Sequence, residues 1–109
     1  MTAVPEGYTV RPGSVDDVPQ VAALEAAYDT AVLGAPYMDD AWVREDWTRE
    51  RFDPAVDSWL VTAMDGALAA YGHTCDEEGD GNLEAIVRVH PDHWGRGLGS
   101  ALIGLTERR

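Results

Sequence analysis

Lysine is absent from the 109 residues, and cysteine and phenylalanine occur once each. Each scarcity closes a route. The lone Cys75 excludes an internal disulfide framework. Without lysine there is no Gly-Lys-Ser/Thr, so a nucleoside-triphosphate loop of the Walker type is excluded. Basic residues are few: Lys+Arg 8 against Asp+Glu 20 leave a formal charge of −12. That balance opposes nucleic-acid binding, which needs basic patches, and opposes docking on an anionic membrane. It is compatible both with steering of a cationic, amine-bearing substrate and with a charge that only keeps the protein in solution. No apolar run approaches ~18 residues, so no membrane span is expected. The start, Met1-Thr2-Ala3-Val4-Pro5-Glu6, has neither a basic region nor an apolar h-region. The expectation is a cytoplasmic protein. Low-complexity tracts, linkers and internal repeats are also missing, which leaves a single domain over residues 1–109.

What is there is organised around Ile86-Val87-Arg88-Val89-His90-Pro91-Asp92-His93-Trp94-Gly95-Arg96-Gly97-Leu98-Gly99-Ser100-Ala101-Leu102-Ile103. A β-branched apolar run ends at a proline, a loop with three alternate glycines follows, and a helical apolar pattern opens behind it. Glycines let the backbone turn with positive φ and leave N–H groups uncovered. The following helix adds its orphan N–H groups and the positive end of its dipole. Phosphate or pyrophosphate is the natural guest. A dinucleotide fingerprint read from Gly95 fails at Ser100, and its acidic ribose partner, ~20 residues further on, would lie past Arg109.

Along the chain, Tyr8-Thr9-Val10-Arg11 reads as a strand stopped by Pro12-Gly13. Ser14 with Asp17 reads as a capping box opening a helix over 15–32, with Val18, Val21, Leu24 and Tyr28 on one stripe. Gly34-Ala35-Pro36 ends it. Asp39 or Asp40 caps a second helix over 41–51, whose Val43 and Trp47 face the core. Phe52-Asp53-Pro54 closes that helix. A strand over 59–64, the Asp65-Gly66 turn and a returning strand over 68–73 form a hairpin. After an acidic loop to Asn82, a strand over 83–90 feeds the glycine loop, and a last helix over 97–109 buries Leu98, Ala101, Leu102 and Leu105. The order β-α-α-β-β-β-α, with its hairpin, indicates an α+β fold.

The pattern V-x-P-x-x-x-G-x-G-x-G-x-x-L, carried by Val89, Pro91, Gly95, Gly97, Gly99 and Leu102, resembles the coenzyme A loop of the GNAT N-acetyltransferase family. Trp94 stands where that family has Gln or Arg. The order of elements matches the first two-thirds of a GNAT domain, without its C-terminal strands and helix. The opening Pro5-Glu6-Gly7-Tyr8-Thr9-Val10-Arg11-Pro12 and the His-Pro-Asp-His before the loop resemble the N-terminal half of two-domain GNAT proteins, a group that includes mycothiol-synthase-like enzymes.

The resemblance implies a GNAT-like (acyl-CoA N-acyltransferase) fold, acetyl-CoA as cosubstrate, and acetyl transfer to a primary amine of an unnamed small molecule. It implies that the backbone of Val87, Arg88 and Val89 pairs with the pantetheine arm. The loop of Trp94, Gly95, Arg96, Gly97, Leu98, Gly99 and Ser100 would cradle the pyrophosphate, with Arg96 either adding charge to a phosphate or standing solvated. The amine needs a base, and a carboxylate near the start of this strand is a frequent family solution. Glu84 is the nearest, either in that role or exposed and paired with Arg88. Tyr37 and Trp42 are candidates to line the acceptor pocket. The family's usual tyrosine acid lies on a later segment. A homodimer or a second GNAT domain would complete the sheet, and the alternative function is a non-catalytic coenzyme A-binding half-domain. No metal is expected: His90 with His93, and His73 with Cys75, lack a fourth ligand. Glu77-Glu78-Gly79-Asp80-Gly81 lacks the ligand spacing of a calcium loop.

Overall fold

In the computed structural model, residues 4–36, 40–48, 52–75 and 84–107 are described. Tyr37, Asp39, the end of the second expected helix and the acidic loop over 76–83 lie outside them.

Strand β1 (Tyr8–Arg11) leads through a 3-10 turn (Val15–Asp17) into helix α1 (Val18–Leu33). Asp17 sets that entry. Its carboxylate accepts the Ser14 N–H at 2.9 Å, the reciprocal half of a capping box, and also both Arg11 guanidinium nitrogens at 2.7 and 2.9 Å. Pro19 falls in the first turn of α1, where its missing N–H costs nothing. Gly34 ends the helix at φ +89°, its N–H bonded to Thr30 O at 3.1 Å.

Helix α2 (Asp40–Trp47) follows, then α3 (Pro54–Asp57), a single turn where the sequence indicates only the close of the preceding helix. Asp53 caps it by accepting the Ala55 N–H at 3.0 Å. Strands β2 (Ser58–Ala63), β3 (Leu68–Cys75) and β4 (Glu84–Val89) and helix α4 (Leu98–Glu107) complete the described chain. Gly66 makes the β2–β3 turn at φ +88°.

The four described strands form one antiparallel sheet in the order β1-β2-β3-β4. Two cores cover its faces. Against α1 and α2, Val18, Val21, Ala22, Leu24, Val43, Trp47 and Phe52 pack on Leu60 and Tyr71. Against α4, Leu98 and Leu102 pack on Val61, Ala69 and Ala70, with half-buried Val87, Val89 and Leu105 beside them. The layering follows from alternation along β4: Val87 and Val89 face α4, and Arg88 faces α1. Among the described residues no helix is long and apolar enough to cross a membrane.

Candidate functional site

The glycine loop leaves β4 through a 3-10 turn (Pro91–His93), started by His90, whose Nδ1 accepts the Asp92 N–H at 3.1 Å. Gly95 and Gly97 take φ +79° and +84°, the left-handed region that side chains resist. A Cβ at Gly95 would meet nothing within 4 Å, so backbone geometry demands glycine there, not crowding. Helix α4 then begins, its first closing bond running from Ala101 N to Gly97 O at 3.1 Å. The N–H groups of Leu98, Gly99 and Ser100 precede that bond and have no carbonyl within the helix. Leu98 is buried on the sheet, so what it offers a ligand is its backbone.

Arg96 is exposed but not loose. Its Nη1 donates to Tyr8 Oη at 3.1 Å, and the same hydroxyl lies 2.8 Å from His93 Nδ1. The Tyr8 hydroxyl thus joins Arg96 to His93, and a hydroxyl rather than a carboxylate holds the guanidinium. Tyr8 was not singled out from the sequence, because only the sheet brings β1 and the loop together.

The edge of β4 lies in line with this loop. The His90 N–H donates to Ala69 O at 2.8 Å, which sets the phase of the β3–β4 ladder. In an antiparallel pair, bonded and non-bonded positions alternate. Arg88 and Ile86 therefore exchange bonds with Tyr71 and His73, and the N–H and C=O groups of Val87 and Val89 point away from β3. Two outward carbonyls meet side chains of the same chain. Trp94 Nε1 donates to Val89 O at 2.8 Å, and Arg88 Nη1 donates to Val87 O at 3.1 Å. Arg88 thus reaches the edge through its guanidinium, while its own backbone faces β3.

On the α1 side of β4 lies a buried polar group centred on Glu25, which is not among the residues the sequence motif marks. Glu25 is 3% exposed. Its Oε1 accepts the Tyr71 hydroxyl and lies 3.6 Å from Arg88 Nε. Glu25 Oε2 and Arg88 Nε have no hydrogen-bond partner among the described residues. The Arg88 guanidinium rests 4.9 Å from the Tyr28 ring centroid, and Tyr28 meets Trp94 edge-on at 6.5 Å. Burial raises the carboxyl's affinity for a proton, opposed by the Tyr71 hydrogen bond and the Arg88 charge. Burial, and then the Glu25 charge, push the Tyr71 phenol well above its ordinary value. A signal for Glu25 did exist: with Val18, Ala22 and Asp29 it keeps the spacing of one helical face, and the acid sits on the apolar side.

Glu84 opens β4 with its backbone opposite Cys75. Its side chain, like all of Tyr37, lies outside the described residues. Trp42 stands 52% exposed on α2, with Val43 and Trp47 buried as expected. His73 is buried and stacked on Tyr71 at 5.8 Å. Among the described residues no three of His, Cys, Asp or Glu are grouped to hold a metal ion.

The sequence model of the Acetyltransferase (GNAT) family matches residues 19–109. The chain belongs to that family. It is 38% identical over 114 residues to a mycothiol acetyltransferase of Kineococcus radiotolerans, covering 100% of this chain and 36% of that protein. A GCN5-related N-acetyltransferase from Sphaerobacter thermophilus superposes with a TM-score of 0.85 at 31% identity, over 97% of this chain and 33% of that one. The GNAT chain thus spans about a third of the length of both relatives. The same fold recurs in yncA of Salmonella typhimurium, solved with its cofactor acetyl-CoA, with a TM-score of 0.64 at 24% identity over 93% of this chain and 61% of that one.

Proposed function

We propose that this GNAT chain binds acetyl-CoA and serves the transfer of its acetyl group to a primary amine. The observation that carries the reading is the continuity of two backbone surfaces. The bared N–H groups from Gly95 to Ser100 lead directly onto the outward edge of Val87 and Val89. A ligand with a pyrophosphate at one end and an amide-bearing arm at the other needs that combination.

Acetyl-CoA supplies an activated acetyl thioester. The loop N–H groups and the α4 dipole would hold its pyrophosphate, and Arg96, fixed by Tyr8, would add positive charge. The edge N–H and C=O groups of Val87 and Val89 would pair with the pantetheine amides and orient the thioester along β4. A backbone N–H aimed at the thioester oxygen stabilises the charge that develops there. The amine must lose a proton before it attacks. Two carboxylates are candidates for that step, Glu84 at the head of β4 and the buried Glu25 beside Arg88, and Tyr37 and Trp42 are proposed to line the acceptor side.

A second reading is a coenzyme A-binding half that supports another acetyltransferase domain or a second copy of the chain. Two observations favour it. The relatives are about three times longer. The outward carbonyls of Val87 and Val89 are also taken up by Arg88 and Trp94.

Calorimetry with acetyl-CoA tests the binding common to both readings. The parent should bind with a Kd on the order of micromolar, and Gly97→Trp should not bind. Gly66→Trp carries the same positive-φ strain outside the loop and should bind like the parent. Equal binding by parent and Gly97→Trp would remove the loop from the reading. Amine-dependent release of coenzyme A then separates an enzyme from a supporting half.

A further inference from the structure

Arg88 occupies a cation site that the chain builds around it. Its guanidinium spans Glu25, with Nε 3.6 Å from Oε1, and the outward carbonyl of Val87, 3.1 Å from Nη1. The Tyr28 ring lies beneath it at 4.9 Å. A carboxylate, a carbonyl and an aromatic face together form the recognition set for an ammonium ion. The match to Arg88 is imperfect, because Glu25 Oε2 is buried without a partner among the described residues and so is Arg88 Nε. The Arg88 side chain is 32% exposed, against 3% for Glu25, so the arginine lies between the acid and solvent.

We propose that the place held by the Arg88 guanidinium is the binding site of the acceptor's ammonium group, with Glu25 as the carboxylate that receives its proton. The inference rests on acetyl-CoA lying along β4 as described above. It identifies the acceptor as a primary amine whose nitrogen carries little bulk, since the site must fit between Tyr28 and the sheet edge. Pantetheine amides pairing with the Val87 edge would release Arg88 from that carbonyl, and the ammonium would take its place against Glu25 and the Tyr28 ring.

The step balances. The ammonium gives one proton to Glu25. The freed nitrogen lone pair forms the N–C bond to the acetyl carbon as the C–S bond breaks. The second proton, lost as the amide forms, goes to the departing thiolate. The groups facing Glu25 are Asp29 and Tyr28 on its own helix, Tyr71 on β3 with His73 stacked on it, Arg88 on β4, and Asp46 on α2 near Tyr71. Burial already raises the carboxyl's proton affinity, as a group that accepts a proton near neutral pH requires.

The first test needs no turnover. Arg88→Met empties the site, and millimolar butylammonium chloride should then raise the melting temperature of that variant above its value in equal sodium chloride. The double variant Glu25→Gln with Arg88→Met should show no such difference. In the parent with coenzyme A bound along β4, the Glu25 carboxyl carbon should shift in NMR when butylammonium is added, which keeps the proposal testable if Arg88→Met does not fold. No difference between the two salts in folded Arg88→Met, or an unmoved Glu25 resonance, overturns the site.

The second test uses turnover with a panel of primary amines. Glu25→Gln should raise the amine KM about tenfold or more, with acetyl-CoA affinity unchanged, and remove the lower-pH limb of the rate profile. Glu25→Asp should recover part of both. If Glu84→Gln produces those effects and Glu25→Gln does not, the base is on the strand and the assignment to Glu25 fails while the acetyltransferase reading stands. If the parent binds no acetyl-CoA, both fail together.

Discussion

At Asp17 a single carboxylate accepts from Arg11 at 2.7 and 2.9 Å and from the Ser14 N–H at 2.9 Å. The Arg11 hydrogen bonds, foremost, hold its carboxyl below the usual range. A group lowered on folding stabilises fully above its unfolded value, about pH 4, and loses that contribution as pH falls through the folded value. Asp17→Asn should therefore unfold more easily at neutral pH by about 1–3 kcal/mol, and its stability should fall less steeply in acid. Urea titrations between neutral pH and pH 3 read both effects. Glu25 has the opposite sign. Burial raises its folded value, so the native state binds the extra proton, and the stability tied to it declines as pH rises from about pH 4 toward that raised value. Glu25→Gln should flatten that decline in the same titrations. Trp94, 48% exposed, is the remaining residue-scale test. Trp94→Phe keeps a ring against Tyr28 but gives up the N–H to Val89 O. If that bond competes with the pantetheine arm, its loss, about 1 kcal/mol, should tighten acetyl-CoA binding about fivefold by calorimetry.

Among the elements, the link from β1 to α1 is the least forgiving of added bulk. A Cβ on Gly13 would lie 2.5 Å from Ser58 Oγ, 2.6 Å from Leu60 Cδ1 and 3.1 Å from Trp47 Cη2. The Gly13 N–H also donates to Ser58 Oγ at 3.1 Å. Gly13→Ala should cost about 1–3 kcal/mol as an overpacked contact, seen as a lower melting temperature. Gly95→Ala meets no neighbour within 4 Å and carries only its positive-φ strain, about 1–2 kcal/mol. The pair separates a glycine kept for space from one kept for conformation. The sequence marks Gly13 only as a strand stop and Gly95 as part of the glycine loop, and the crowding at Gly13 comes from Ser58, Leu60 and Trp47, distant in sequence. The helix stripes of α1 and α4 were legible there, because burial follows a 3.6-residue period that needs no tertiary knowledge. Helix α3 was not, since four residues opened by a proline read equally well as a stop.

Over the whole molecule, a formal charge of −12 on 109 residues sets up self-repulsion in the folded state. Raising sodium chloride from about 10 mM to about 150 mM shortens the screening length from about 30 to about 8 Å. The melting temperature should rise over that range, most steeply at the low-salt end. A second whole-molecule property is the outward edge of β4. Paired groups on one side and open N–H groups on the other give the sheet a direction in which it can take up a ligand arm or another strand. The acetyltransferase reading and the supporting-half reading both depend on that edge.

Local chemistry determined much of this protein from the sequence alone. A β-branched run, alternate glycines and an apolar helical period specify strand, loop and helix through neighbouring residues, and an anion site at the helix N-terminus follows from them. The GNAT resemblance rested on that same contiguous stretch. Only the tertiary structure decided which separated residues meet. Tyr8 reaches Arg96 and His93 because the sheet brings β1 to the loop. Glu25 reaches Tyr71 and Arg88 because α1 lies across β3 and β4. The hydrogen-bond phase of the β3–β4 ladder turned Val87 and Val89 outward and Arg88 inward. Such contacts depend on long-range register and packing, in which residues dozens of positions apart share one environment.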